Sequence, residues 1–334
     1  MTENLRPLTV FVHNPKTGGA TFRTILRTQF SPATSLNLGK GELDQETVHR
    51  LVQERQPGQD VVWGHIKYGL HEHVDEPCRY VFFVRSPGAR LASLYLFLLA
   101  RERPESVDDP ADRLIDGLRR YVETGVIAGR VAPEFDREHD NGQTRRLSGV
   151  EREGRADRSM LDLALAHVAE PESIVGLTER FDESLVLIQR RWGWRYLHYR
   201  RSNSTRLFRH GEAVAEAAAG LAAEHAALDS ALYDAAKRRF EADVESEGPG
   251  FAGAVATFTE RNVQFVRLLH ERAAGERASA DPVVHANLEL RARSQELAAA
   301  ETARGRLESE LASQTRQAER LRSKLERSGE RRKA

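Results

Sequence analysis

Cysteine is almost missing from this chain: Cys78 stands alone in 334 residues. A framework of intrachain disulfides is therefore excluded, and such usage suits a reducing compartment. Net charge is missing as well, because 50 basic and 50 acidic side chains cancel. No global field draws in nucleic acid or an anionic membrane, so any anion site has to be local. Long apolar runs are absent too. No stretch reaches the roughly 20 residues of a membrane helix, and Met1–Arg6 lack the apolar segment of a secretory signal. The expected location is cytoplasmic. What remains is a chain of 40% hydrophobic residues, enough for a soluble globule, and long enough for more than one unit.

The most informative stretch is Val10-Phe-Val-His-Asn-Pro-Lys-Thr-Gly-Gly-Ala-Thr-Phe-Arg-Thr24. An apolar run stops at Pro15, a glycine turn follows, and Phe22 onward reads as a helix. Strand, turn and helix N-terminus in that order gather free backbone N–H groups and the positive end of a helix dipole on an anion. Gly18, Gly19 and Ala20 leave the backbone approachable. Lys16 supplies a point charge, and Thr17 and Thr21 supply hydroxyls. The reading is a phosphate or sulfate cradle, against the plainer one of a strand–turn–helix junction with a solvated lysine. It is not the nucleoside-triphosphate loop, whose lysine follows its second glycine.

Tyr80-Val-Phe-Phe-Val-Arg-Ser-Pro-Gly-Ala-Arg-Leu-Ala-Ser-Leu-Tyr-Leu-Phe97 is the second such stretch. Tyr80–Val84 has the continuous apolar character of a strand buried on both faces. Arg85 sits at its carboxyl end, where open parallel sheets bind ligands. Pro87 opens a helix that carries Arg90, Ser93 and Tyr95. Arg85 and Ser93 together could hold one more phosphate.

The two segments together resemble the paired signatures of sulfotransferases that use 3′-phosphoadenosine 5′-phosphosulfate (PAPS). The first looks like their 5′-phosphosulfate loop and the second like their 3′-phosphate motif. The likeness is to the family of heparan sulfate 2-O-sulfotransferase and its bacterial relatives. Gly64-His65-x-x-Tyr68-Gly69-Leu70-His71-Glu72, Asn141–Gly149 and Ile174–Asp182 match in the family's order, over residues 8–240. Ala20 and Ser86 depart from the pattern, where a hydroxyl residue and an aspartate are usual. The resemblance implies a P-loop-like sulfotransferase fold and PAPS as co-substrate, with no metal required. Lys16 is implied at the leaving phosphate and His65 as the base that takes the acceptor's proton. Arg201, Ser202 and Ser204 would then lie in a loop closing on the 3′-phosphate. His71 and Glu72 are candidates for acceptor binding. Asn141 and Arg145 are candidates either for acceptor positioning or for internal bracing. A carbohydrate or glycoconjugate hydroxyl is the expected acceptor, with a nucleotide-dependent phosphotransferase and a non-catalytic coiled-coil scaffold as the alternatives.

Apolar runs place strands near Leu8–His13, Asp60–Gly64, Arg79–Val84 and Ser173–Gly176 with helices between them. That alternation predicts an α/β fold, a parallel sheet flanked by helices. Residues 101–112 and 130–159 read as loops or short helices over the site, and residues 211–245 and 254–275 as helices. The expected division is a sulfotransferase domain over 1–245, a helical connector over 246–280 and a coiled-coil tail over 281–334. In the tail Leu290, Leu297, Leu307, Leu311, Leu321 and Leu325 fall on positions alternating three and four apart, with Ala300 and Ala318 filling two more and Arg293, Arg304 and Gln314 the rest, the period of a seam through which two copies could dimerise.

Overall fold

The computed structural model describes residues 7–42, 44–131, 137–201 and 208–273. The first strand, β1 (Leu8–Val12), is buried along its whole length. The other strands of its sheet are β2 (Ser35–Glu42), β3 (Val61–His65), β4 (Cys78–Val84) and, after a small hairpin of β5 (Val126–Ile127) and β6 (Arg130–Val131), β7 (Ile174–Leu177). They lie in the order β2-β3-β1-β4-β7, every neighbouring pair parallel. Runs such as Tyr-Val-Phe-Phe-Val in β4 suit strands covered on both faces. The α/β class and parallel sheet expected from the sequence are found. The coiled-coil expectation for 281–334 lies outside the described residues.

The topology puts the site at one place. From β1 the chain runs through α1 (Gly19–Gln29) to the edge strand β2, and returns through α2 (Gln45–Gln53) to β3 beside β1. It then crosses to β4 on the other side of β1. Connections diverge on the two flanks of β1, and a crevice opens beyond its carboxyl end, where such sheets take their ligands.

Two apolar clusters hold the molecule. One joins the sheet to Phe22, Ile25 and Leu26 of α1, to α7 (Phe181–Trp192), to Phe240 of α9 (Ala227–Ser246), and to Phe251 and Phe258 of α10 (Gly250–Ala273). The i, i+3, i+4 spacing of the α1 residues is the stripe that buries one helix face. The other cluster joins α3 (Pro87–Glu102), α4 (Ala111–Thr124) and α8 (Gly211–His225). At that contact a Cβ on Gly88 would lie 2.7 Å from the Cα of Ala219, so the backbones meet where only a glycine fits.

Several elements differ from the sequence reading. Strand β2, Ser-Leu-Asn-Leu-Gly-Lys-Gly-Glu, is an edge strand whose register shifts between Asn37 and Glu42; its glycines weaken the pattern by which strands are recognised. Helices α4 and α6 (Arg158–Ala169) lie almost wholly outside the stretches read as loops or short helices and were not individually anticipated, whereas the short helix α5 (Gly142–Ser148) falls inside one of them, as read. The expected helix over 211–245 is two, broken at Ala226 (φ −126°, ψ 39°). Among the described residues no helix is long and apolar enough to cross a membrane.

Candidate active site

The loop after β1 is held from behind. Asn14, fully buried, donates from Nδ2 to the carbonyl of Phe83 in β4 at 2.9 Å. Thr17 Oγ1 donates to the carbonyl of Asn14 at 2.9 Å, Arg90 Nε to that of Pro15 at 3.1 Å, and Arg85 Nη1 to that of Lys16 at 3.1 Å. Three successive carbonyls are thus taken by donors from outside the sheet ladder. Lys16 (φ 66°) and Gly18 (φ 85°) are both left-handed, a backbone pattern that curls N–H groups into an anion-binding concavity. Gly18 caps α1 without a side-chain hydrogen bond, and the first bond of the helix runs from Phe22 N–H to its carbonyl. The amides that precede Phe22 are therefore the helix's N-terminal donors.

This loop forms one wall of a cleft of about 590 Å³, within the size range of small-ligand pockets. Its charge is lopsided although the chain as a whole is neutral. Lys16, Arg23, Arg85 and Arg201 line it, against one carboxylate, Glu179, which accepts from the Ser86 N–H at 2.9 Å. Burial, with Arg85 nearby, lowers the Lys16 ammonium to about 8, and its Nζ stands 4.1 Å from the ring centre of Phe97. Gln143 brackets the backbone of Arg85, accepting from its N–H at 2.8 Å and donating to its carbonyl at 2.9 Å. Ser93, buried on α3, faces the same space, as do Phe181 and Tyr199.

Across the cleft His65 ends β3, the neighbour of β1 in the sheet. Its ring stacks on that of His13, centres 4.1 Å apart and planes 30° from parallel. Burial lowers the His65 imidazole to about 4, with help from Arg146 and against the pull of Glu138. Behind the histidines is a buried charge cluster in which Glu138 binds Arg90 and, at 2.8 Å, Arg146. Burial pushes the Glu138 carboxyl up, but the two arginines outweigh it and hold it below the usual range. Arg90 also lies 3.9 Å from Asp229. The same guanidinium thus supports the Pro15 carbonyl and the cluster beside His65.

A family model for galactose-3-O-sulfotransferase matches residues 9–280, spanning every element that builds this cleft. The chain belongs to the galactose-3-O-sulfotransferase family. It is a sulfotransferase, as the two motifs imply, although the likeness was drawn there to the 2-O-sulfotransferase family. A comparison with individual curated proteins returns no match.

On this galactose-3-O-sulfotransferase fold, Lys16, Gly18, Gly19, Ala20, Thr21, His65, Arg85, Ser93 and Arg201 all line the one cleft. Thr17 does not: its side chain is buried, turned inward to the Asn14 carbonyl, and its hydroxyl shapes the loop rather than facing a ligand. Ser202 and Ser204 lie outside the described residues. His71 is bound through Nδ1 to the Tyr80 hydroxyl at 2.9 Å, and neither it nor the exposed Glu72 lines the cleft.

Asn141 and Arg145 are braces. Asn141 Oδ1 accepts from the N–H groups of Leu228 and Asp229, both at 3.0 Å, capping the start of α9. Asp229 returns a cap to α5, accepting from Thr144 N at 2.8 Å and Gln143 N at 3.3 Å. That exchange accounts for the break at Ala226, because it needs a helix N-terminus there. Arg145 pairs with Asp140 and the Gly154 carbonyl.

Sequence reasoning gave no role to His13, Arg23, Arg90 or Glu138. For His13 and Arg23 the signal was position, one residue past β1 and one turn into α1. For Arg90 it was an arginine among the apolar and small residues of the first turns of α3. Glu138 carries no signal in the sequence, since its partners are brought to it by the fold.

Proposed function

We propose that this protein transfers a sulfuryl group from PAPS to a hydroxyl of a carbohydrate, with a galactosyl hydroxyl as the first acceptor to test. The observation that carries this reading is that Lys16 and His65 line one cleft from the carboxyl ends of adjacent parallel strands. The residues present suit the donor. A Cβ on Gly18 would crowd Phe181 at 3.1 Å, and one on Gly19 would fall 1.9 Å from the His13 ring, so the glycines let these rings close on the loop, while the left-handed backbone at Lys16 and Gly18 curls N–H groups towards an anion. Four cations against one carboxylate suit a ligand with several negative charges.

PAPS supplies an activated sulfuryl group on a 5′-phosphate. Lys16 and the N-terminal amides of α1 stabilise negative charge as it gathers on that phosphate. His65 accepts the proton of the acceptor hydroxyl as its oxygen bonds to sulfur, and the bond from sulfur to the phosphate oxygen breaks with its electron pair on the phosphate. Burial keeps the His65 ring neutral and ready for that proton across the physiological range. Arg85, Ser93 and Arg201 are assigned to the 3′-phosphate, Arg85 through a charge-assisted fork.

Titration with PAP, AMP and magnesium ATP tests the reading. PAP is expected to bind much more tightly than AMP, and Arg85→Ala to erase most of that preference, a loss of roughly 1.5–3 kcal/mol for one charged contact. Tight ATP binding without PAP binding would overturn it in favour of a phosphotransferase.

A further inference from the structure

His13 lies in the cleft wall with no role in the scheme above, and its environment is specific. The ring is almost fully buried, flat against Phe11 on one flank (5.5 Å, 19°) and stacked on His65. Its edge lies over the first residue of α1: a Cβ on Gly19 would come within 1.9 Å of both Cδ2 and Nε2. Among the described residues no hydrogen bond engages either ring nitrogen. The ring lines the cleft beside the helix N-terminus, where an anion would be gathered. Burial, and then the charges of His65, Arg146, Arg23 and Lys16, lower its pKa well below the usual value. The ring is therefore neutral, with one N–H to donate.

On the sulfotransferase reading, we propose that His13 is a second catalytic histidine, donating a hydrogen bond from Nε2 to a non-bridging oxygen of the sulfuryl group during transfer. The division of labour follows from position. His65 takes the acceptor proton and becomes imidazolium. His13 neither gains nor loses a proton: it holds one oxygen of the group passing between the phosphate and the acceptor. Its stacking on His65 fixes the distance between the group that activates the acceptor and the group that steadies the sulfur centre. A donor aimed at charge that develops in the transition state accelerates transfer more than it strengthens binding.

The test compares His13→Phe, which keeps a flat ring without a donor, with His13→Gln, which keeps an N–H. Binding of PAP and of PAPS is measured by calorimetry without acceptor, alongside turnover and melting temperature. For His13→Phe, turnover is expected to fall by about 10²–10³, the scale for losing one such donor. PAP affinity, which involves no sulfuryl group, should stay unchanged while PAPS affinity falls towards it. His13→Gln should recover a large part of the lost rate. Near-normal turnover in His13→Phe would overturn the proposal, as would equal losses of PAP binding and turnover, which mark a purely structural ring. Loss of the acidic limb of the pH–rate profile would overturn it too, because His13 would then be the base. Should His13→Phe fail to fold, His13→Leu against His13→Gln decides the question on the same readouts. Failure of the wild-type protein to bind PAP would instead overturn the donor reading itself, and this proposal with it.

Discussion

Gly19→Ala adds a single methyl group at the first residue of α1, and the surroundings decide its effect. The backbone there is not left-handed, so alanine brings no conformational strain, and by helix propensity alone the change favours folding by up to about 1 kcal/mol. Sterically it is severe. The new Cβ would lie 1.9 Å from Cδ2 and Nε2 of His13 and 2.8 Å from Cε1, and the ring cannot simply step aside because Phe11 and His65 hold its faces. Overpacking of this kind costs about 1–3 kcal/mol, so the net expectation is a loss of about 1–2 kcal/mol. Either the His13 ring or the donor loop has to move, and PAP affinity and turnover should fall with it. Gly220→Ala is the matched control: it lies within α8 with nothing inside 4 Å of the added Cβ. It should stabilise by about 0.5–1 kcal/mol and leave activity alone. Scanning calorimetry and PAP titration read both. A Gly19→Ala protein as stable and as tight for PAP as wild type would refute the placement of His13 over α1.

Two further outcomes follow from the charge arrangement. Arg90→Met should lower stability by about 3–5 kcal/mol, since it leaves the buried Glu138 and Asp229 without their shared cation; a melting temperature within a degree of wild type would contradict that. The pH dependence of kcat/KM should be a broad bell. The rate rises as His65 loses its proton, near about 4 rather than in the ordinary histidine range, because burial disfavours its charged form. It falls as Lys16 loses its proton near about 8, and PAP affinity should fall in the same interval. An acidic limb near the unperturbed histidine value would mean that His65 is not buried as described.

The strands were legible where burial on both faces makes them continuous apolar runs, as in β1 and β4. Strand β2 was not, because an edge strand with two glycines and a shifted register has neither a clean alternation nor a run. The donor loop could be read because its chemistry is local: strand, lysine, glycines and helix follow one another in the chain. His65 was singled out by the family resemblance, since a histidine at a strand's carboxyl end reads equally well as one that satisfies backbone. The support was hidden because it is not local. Glu138 meets Arg90 from 48 residues away, and the caps exchanged by Asn141 and Asp229 span 88. Residues such as Asn141 and Thr17 carry the same polar groups whether they face a ligand or satisfy backbone inside the fold. Only the packing distinguishes the two uses.

The most direct test is transfer of labelled sulfuryl from PAPS to a galactosyl oligosaccharide by wild-type protein and by His65→Ala, with PAP binding measured on both. The expected result is acceptor-dependent transfer by the wild type, a loss of about 10²–10⁴ in turnover for the variant, and nearly equal PAP affinities. A His65→Ala protein that transfers at the wild-type rate, with the same pH profile, would contradict the assignment of the cleft's base.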